Sequence, residues 1–411
     1  MTNTIATPTW VLNETAFGYA NSLSFVGNCD MQYSDEYRQG GAKVGNTVQV
    51  RLPARFVVEW GQALQTQAVY DSTVSVTLAH QAQTSMAWSS HEATTELDRI
   101  RERYINPAAD ALANAVDAYV FNDVYADIYN AVGTPGTTPT QGLTYLQAGL
   151  KLSDQAVELM RSAIVLDGEA EINIANTLSA LFNPQADIST IFKKGQMGRN
   201  ALGIGKWFRS QNAPVHTTGT YTASTPLVNG ANQTGSSLIT DGWASGATTL
   251  NKGDIFTVAG VYSVNPLSYV STGRLQQFVV TSTISDTTGD MTIAISPPIV
   301  TSGALQTVSG SPADGAVVTV LGATDPAGGT LATTTSKQSM LFHPETFAVV
   351  SADLDMPTAG CRSTRKSSKA DGISIRMVEQ YQIGTDQNPT RLDILFGDAT
   401  IQPRGACRIF G

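Results

Sequence analysis

Charged side chains make up only 14% of the 411 residues, against about 25% in an average soluble protein. Ser, Thr, Ala, Gly, Asn and Gln take their place. A surface short of ions and rich in small polar groups suits extensive contact with other subunits, because few charges must be stripped of water. A β-rich secreted or surface protein has similar usage. Cysteine is sparse: Cys29, Cys361 and Cys407 are an odd, scattered set, which is no disulfide framework and fits maturation in a reducing cytoplasm. The four histidines, His80, His91, His216 and His343, stand at no metal-ligand spacing with another His, Cys or Asp, so packing or capping roles are expected and no metal is implied. CxxC, HExxH and GxSxG are all missing. No run of about 18 apolar residues is present, so no membrane-crossing helix is expected. The opening MTNTIATPTWVLNETAF lacks the basic-then-apolar pattern of a signal peptide. Basic residues number 25 against 34 acidic, a net charge of −9. That balance argues against tight nucleic-acid binding, which needs clustered Lys and Arg, but not against a container whose wall does not grip its nucleic acid.

What remains offers little chemistry. Arg362, Arg365, Lys366 and Lys369 form the one notable basic cluster, read as a solvated Ser-rich turn. The stretch Gly198 to Trp207 looks like a phosphate loop, but Asn200 and Trp207 stand where that loop needs Gly and Ser or Thr. Asp353 and Asp355 flank a turn near Pro357. No catalytic set assembles, and no cofactor is implied.

Apolar residues reach 42%, enough for real cores, and the length suggests two or three folding units. Residues 1–45 carry no sustained period and read as an arm with a short helix near 11–23, ordered mainly by a neighbour. From Asn46 the period becomes two: Val48, Val50 and Leu52, then Val74, Val76 and Leu78, followed by Met86 and Trp88. These are strands with one apolar face. Between them residues 53–72 have too few apolar groups for a core. A long hairpin that is marginal alone should lie on another subunit. Leu97, Ile100, Tyr104, Ala108, Ala111, Ala115 and Tyr119 repeat at helical steps over 92–132. Asn106-Pro107 starts a long Ala-rich helix, which should end near Gly133. A helix is expected at 153–165 with Ser153 or Asp154 as its cap, a strand at 172–182 and a short helix at 187–194. From about Gly219 the chain turns Thr-, Ser-, Gly- and Asn-rich. Short strands then follow at 255–259, 277–284, 291–296 and 317–321, with a turn at Asp286 to Gly289, which predicts an inserted small β-barrel or sandwich. Further strands are expected at 339–342, 348–350, 373–378, 392–396 and 406–410.

Several segments together resemble a known family. They are KGDIFTVAGV from Lys252, with Val264-Asn265-Pro266 and LQQFVV from Leu275; Gly195-Gln196-Met197-Gly198 with PVHTTG from Pro214; FHPETFA from Phe342 with Asp353-Leu354; and RLDILFG from Arg391 with Ala406-Cys407-Arg408-Ile409. Their order and spacing resemble the coat proteins of short-tailed phages of the Salmonella-phage type, within the Hong Kong-97-type capsid fold, over nearly the whole chain from about residue 45.

The resemblance implies an α+β fold with an axial domain, a peripheral domain with a long spine helix, an extended β-hairpin loop and an N-terminal arm, plus an inserted small β-barrel domain. Its layout would be 1–45 arm; 46–91 extended loop; 92–142 spine helix and peripheral domain; 143–215 axial domain, first part; 216–336 inserted β-domain; 337–390 axial domain, second part; 391–411 C-terminal peripheral strands. It implies a non-enzymatic major capsid protein of a tailed bacteriophage, self-assembling into pentamers and hexamers of an icosahedral shell around double-stranded DNA held without sequence-specific binding. Assembly would take place in the host bacterial cytoplasm, with a separate scaffolding protein, since only about 45 residues precede the hairpin, and with a portal protein and no membrane. Lysine crosslinking through the extended loop, used by some relatives of this fold, is not expected, because no lysine lies between Lys43 and Lys151. Aromatics and Arg dominate interface energetics, so Arg55, Trp60, Tyr70 and Trp88 are the candidates for inter-subunit contact, set against ordinary packing within their own subunit. The rival readings are an encapsulin-like compartment, which the large insert disfavours, and a β-rich surface or adhesion protein, which would need a secretion route.

Overall fold

Period-two stretches become strands almost wherever the sequence carries them, and the architecture is mixed α and β, mostly sheet. A computed structural model describes residues 23–34, 46–58, 61–62, 66–67, 72–89, 91, 104, 106–178, 201–222, 225–246, 248–286, 288–322, 330–331, 333–358, 360–368 and 373–411. The chain divides into two units. One comprises Met1–Leu52, Thr73–Phe121 and Phe347–Ile401; the other comprises Pro53–Ser72, Asn122–Thr346 and Gln402–Gly411.

In the first unit the long strand Gln387–Thr400 is central. Along one side it pairs antiparallel with His80–Ser89, in register from Phe396 opposite His80 to Gln387 opposite Ser89. Along the other it pairs with Ile373–Glu379 and Phe347–Ala352, and Arg362–Ser368 lies outside Ile373–Glu379. Gly397 is required here: a Cβ would sit 2.1 Å from the carbonyl oxygen of Thr77. Leu392, Ile394, Ile375 and Met377 are buried together on one sheet face. The hairpin stem forms as its alternation predicts, Thr47–Arg51 against Thr73–Thr77, and buries Val50 and Val76 with Ala348, Val350 and Ile401. Helix α1, Asn106–Val124, starts at the Asn106-Pro107 break and buries Ala109, Leu112, Ala113, Val116, Val120 and Phe121 at three- and four-residue steps.

Three expectations for this part of the chain need correction. The strand carrying Met86 and Trp88 does not pair with the hairpin; it joins the Gln387–Thr400 sheet, where a ten-residue match in register wins. Arg362, Arg365 and Lys366 of the basic cluster lie on a strand, not a loop: Arg362 faces Glu379 across the ladder, and Arg365 forms an ion pair with Asp353 at 3.3 Å, while Lys369 lies outside the described residues. Residues 24–34 do not wait for a neighbour, because they dock on their own unit through Phe25. Its ring stacks on Phe121 at 4.2 Å and 6°. The helices expected at 11–23 and 187–194 lie outside the described residues, as does most of 92–105.

The second unit holds a sheet in the order Ala131–Val132, Ala406–Phe410, Thr335–Phe342, Ala163–Leu166, Lys206–Arg209, with Val215–Thr217 pairing the start of Thr335–Phe342. Helices α2 (Gly142–Asp154) and α3 (Gly168–Leu178) add Tyr145, Ala148, Leu152 and Ile174 to its core, beside Ile164, Leu166, Leu341, Cys407 and Ile409.

Here the helix and strand expectations are displaced. The helix placed at 153–165 is α2, because the buried set Tyr145, Ala148, Gly149 and Leu152 already follows helical spacing. Ala156, at φ 57°, turns the chain out of it. The apolar run Ala163–Leu166 is a strand buried on both faces, which periodicity cannot tell from a helix. Over 172–178 the strand placed at 172–182 is instead part of α3, with Ala170 and Ile174 buried one turn apart and the Asp167 carboxylate accepting the Glu169 N–H at 3.2 Å; residues 179–182 lie outside the described residues. Helix α1 stops at Val124 rather than near Gly133. Beyond it Ala131 is held extended by Gln277, whose side chain accepts its N–H at 3.0 Å and donates to its carbonyl at 2.9 Å.

The Thr- and Gly-rich stretch contributes a further antiparallel sheet, in the order Val318–Val320, Ile255–Val264, Ser271–Val280, Met291–Ile299, Gly235–Asp241, Leu227–Val228. The first and last strands also meet: Leu227 bridges Val317, the Val318 N–H donates to the Pro226 carbonyl and the Val228 N–H to that of Ala316, both at 2.9 Å. Phe256, Phe278, Val258, Ile293 and Leu238 fill the inside. Asp286 caps the expected turn by accepting the Thr288 and Gly289 N–H groups at 2.9 and 2.7 Å.

Candidate functional site

In the ribbon at residues 53–58, Arg55 and Val57 are half-buried, while Pro53, Ala54, Phe56 and Val58 are left in the open. Phe56 is 58% and Val58 74% exposed. The ribbon is tied by backbone polar groups instead. The Phe56 carbonyl accepts the Tyr269 hydroxyl at 3.2 Å, and the Gln67 side chain pairs with both the N–H and the carbonyl of Val57. Arg55 is half-buried in this ribbon and lies close enough to Arg404 for like-charge repulsion, which adds to burial in lowering the Arg404 pKa. Trp60 and Tyr70 lie outside the described residues. Trp88 lies on His80–Ser89, buried in the first unit.

Within the second unit a buried polar hub assembles. His216 Nε2 meets Asp254 Oδ1 at 2.8 Å, and both side chains are almost fully buried. The second oxygen of Asp254 accepts the Gly219 N–H at 2.9 Å and the Asn251 N–H at 2.8 Å. The other ring nitrogen of His216 meets the Tyr125 hydroxyl at 3.2 Å. Arg408, fully buried, donates to the Gly253 carbonyl at 2.6 Å. Its Nε and Nη1 find no acceptor among the described residues, and its guanidinium lies over the Tyr125 and Phe410 rings. Burial pulls the Arg408 pKa down to about 10, against the pull of Tyr125 and Asp254 toward the charged form. A buried charge network of this kind costs much to break and fixes one arrangement of its strands.

Sequence reading did not single out this hub, yet its signal was present. His216, Asp254, Gln277 and Arg408 each fall in one of the short segments that carry the family resemblance, and they occupy the hub and the neighbouring Gln277–Ala131 tie. Asp117 was also missed. It is buried within helix α1 and accepts Ser24 Oγ at 2.8 Å and the Phe25 and Val26 N–H groups at 2.9 Å each. The phosphate-loop lookalike has a packing reason: Gly205 presses on Met160, where a Cβ would stand 2.0 Å from the carbonyl oxygen. Among the described residues no group of three or more His, Cys, Asp and Glu could hold a metal, and no helix is long and apolar enough to cross a membrane.

The described residues thus offer a buried polar hub and a ribbon that leaves Phe56 and Val58 uncovered. Over residues 32–411 the chain matches the family described as "P22 coat protein - gene protein 5", and it belongs to that family. It is a major capsid protein of a tailed phage. Among solved structures it is similar to one of Mycobacterium phage Che8 (12% identity, TM-score 0.45, covering 94% of this chain and 90% of that one). It is also similar to the capsid of the cyanophage P-SCSP1u (8%, TM-score 0.42, 90% and 84%) and to the CUS-3 coat protein I-domain (28%, TM-score 0.20, 25% and 97%). No curated protein sequence matches the chain.

Proposed function

We propose that this coat protein assembles into pentamers and hexamers of an icosahedral shell enclosing double-stranded DNA, and that it has no enzymatic activity and needs no cofactor. The match to the coat-protein family over residues 32–411 carries the reading. In the Hong Kong-97-type layout residues 1–45 are the arm and 46–91 the extended loop. Residues 92–142 carry the spine helix, 143–215 and 337–390 the axial domain, and 391–411 the closing peripheral strands. Residues 216–336 are the inserted domain, a small barrel; the backbone bonds between its edge strands at Pro226 to Val228 and Ala316 to Val318 support closure. The extended loop lies over the next subunit, with Arg55, Trp60 and Tyr70 at the contact. The burial of Trp88 in its own sheet favours packing there instead.

Subunits repeat heterologous contacts that close by rotation into rings, and many modest contacts sum over the shell. Assembly takes place in the host cytoplasm with a separate scaffolding protein and a portal, and the acidic chain, at net −9, surrounds DNA without gripping it. Negative-stain microscopy of the purified full chain, with a nuclease-protection assay on particles from infected cells, tests this. Closed shells that protect DNA are expected. Particles from infected cells whose shells lack this chain, or shells that protect no DNA, would overturn it.

A further inference from the structure

Among the described residues Arg408 is the largest side chain that is fully buried. Its Nη2 donates to the Gly253 carbonyl at 2.6 Å, while Nε and Nη1 meet no acceptor among those residues. A guanidinium carries N–H groups on all three nitrogens and keeps its charge at neutral pH. A buried acceptor on the same sheet face is also unmet. In the antiparallel ladder of Thr335–Phe342 against Ala406–Phe410, Met340 stands opposite Arg408 and Gln338 opposite Phe410. Arg408 and Phe410 are two apart and project from one face. Gln338 is therefore the diagonal neighbour of Arg408 on that face, about 7–8 Å away along the backbone and within reach of a long side chain. Gln338 is fully buried too. Its Nε2 donates to the carbonyl and the hydroxyl of Ser336 at 3.3 and 2.8 Å, and its Oε1 meets no donor among the described residues. Buried polar groups in native folds are paired with protein or with ordered water, and those of a charged side chain are the costliest to leave dry.

We propose that Arg408 and Gln338 hold an internal water, which accepts from the guanidinium and donates to Gln338 Oε1. The unmet set is mixed, donor nitrogens on Arg408 and an acceptor oxygen on Gln338, and water both accepts and donates. A chloride would accept from Arg408 but give nothing to Oε1. A metal cation would be repelled by the guanidinium. Charge points the same way. Asp254 lies close enough to favour the charged form of Arg408, and its carboxylate is already met by His216 and by the Gly219 and Asn251 N–H groups. Guanidinium and carboxylate balance, so a further ion would be buried without a counter-charge. Internal waters typically make about three hydrogen bonds each to buried polar groups of this kind. The water joins the C-terminal strand to Thr335–Phe342, and Arg408 Nη2 carries the set on to the Gly253 carbonyl. The buried arginine is thereby satisfied without a carboxylate bonded to it.

The test is a structure of the full chain at a resolution that shows ordered internal waters, by electron cryo-microscopy of particles or by crystallography of the subunit. A peak within hydrogen-bond distance of Gln338 Oε1 and of Arg408 Nε or Nη1 is expected, and it should persist in chloride-free buffer. In Gln338→Met, which keeps the length of the side chain and removes the acceptor, the peak should be lost. A map that shows other internal waters and none here overturns the proposal. So does a guanidinium bonded directly to Gln338 Oε1, a peak that disappears without chloride, or a peak at full height in Gln338→Met. If that variant does not fold, the unmodified chain in the two buffers decides.

Discussion

Replacing Asp117 with Ala removes the acceptor for two buried backbone N–H groups, those of Phe25 and Val26, and for the Ser24 hydroxyl. Each buried N–H left without a partner costs about 1–3 kcal/mol, so the pair costs about 2–6 kcal/mol. Part of this is offset, because a buried carboxylate is no longer desolvated. The net loss should be about 2–4 kcal/mol, or about 30- to 700-fold in the equilibrium for local opening of the 23–34 segment. Phe25 stays stacked on Phe121 at 4.2 Å only while that segment is docked, so the loss should be local at first. Native-state hydrogen exchange on peptides spanning residues 23–30 reads it directly. Protection of the Phe25 and Val26 amides should fall by the stated factor in Asp117→Ala and by less in Asp117→Asn, which keeps one oxygen. Unchanged protection at these two amides in the alanine variant would refute the argument that Asp117 anchors the segment.

The pH response offers a second check. Burial raises the Glu171 pKa above its ordinary value of 4.5, with Arg209 opposing. A raised carboxyl pKa favours the folded state at low pH, and the benefit is lost as pH rises through the folded value. Glu171→Gln should therefore stabilise the protein at neutral pH, and the gain should vanish below about 4.5; urea unfolding at pH 7 and pH 4 measures this, and a gain at both would contradict the burial argument. Burial pushes the Cys407 thiol up to about 12, so it should react with thiol reagents only as the protein unfolds, whereas the partly exposed Cys361 should react in the native state; equal rates would contradict the packing described. Trp88→Ala should lower folded yield by destabilising its sheet by about 3–5 kcal/mol, while Trp60→Ala should leave the subunit folded and lower particle yield; sedimentation separates the two, and loss of fold in Trp60→Ala would move that residue into a core.

Strands were legible where one face alone is buried. Val48, Val50 and Val76 alternate with polar neighbours, and both stem strands formed where the alternation lies. Legibility failed where burial is two-sided or where tertiary bonds decide. The run Ala163–Leu166 is apolar throughout and carries no period to read. Ala131 looks helical by composition and is pulled straight by the Gln277 side chain, 146 residues away. Arg362, Arg365 and Lys366 look like a solvated turn until Glu379 and Asp353 come alongside. The hub had the opposite character. His216, Asp254 and Arg408 are unremarkable one by one, and only the fold brings segments beginning near residues 214, 252 and 406 to one point. Short motifs in a fixed order carried the family before any of their contacts could be seen.

The central claim is that the ribbon at residues 53–72 is completed by another subunit. Electron cryo-microscopy of assembled particles tests it most directly, by tracing that ribbon and the side chains beside it. Phe56 and Val58 should be covered by a neighbouring chain. A ribbon packed wholly on its own chain, with those two side chains still facing solvent in the particle, would contradict the account.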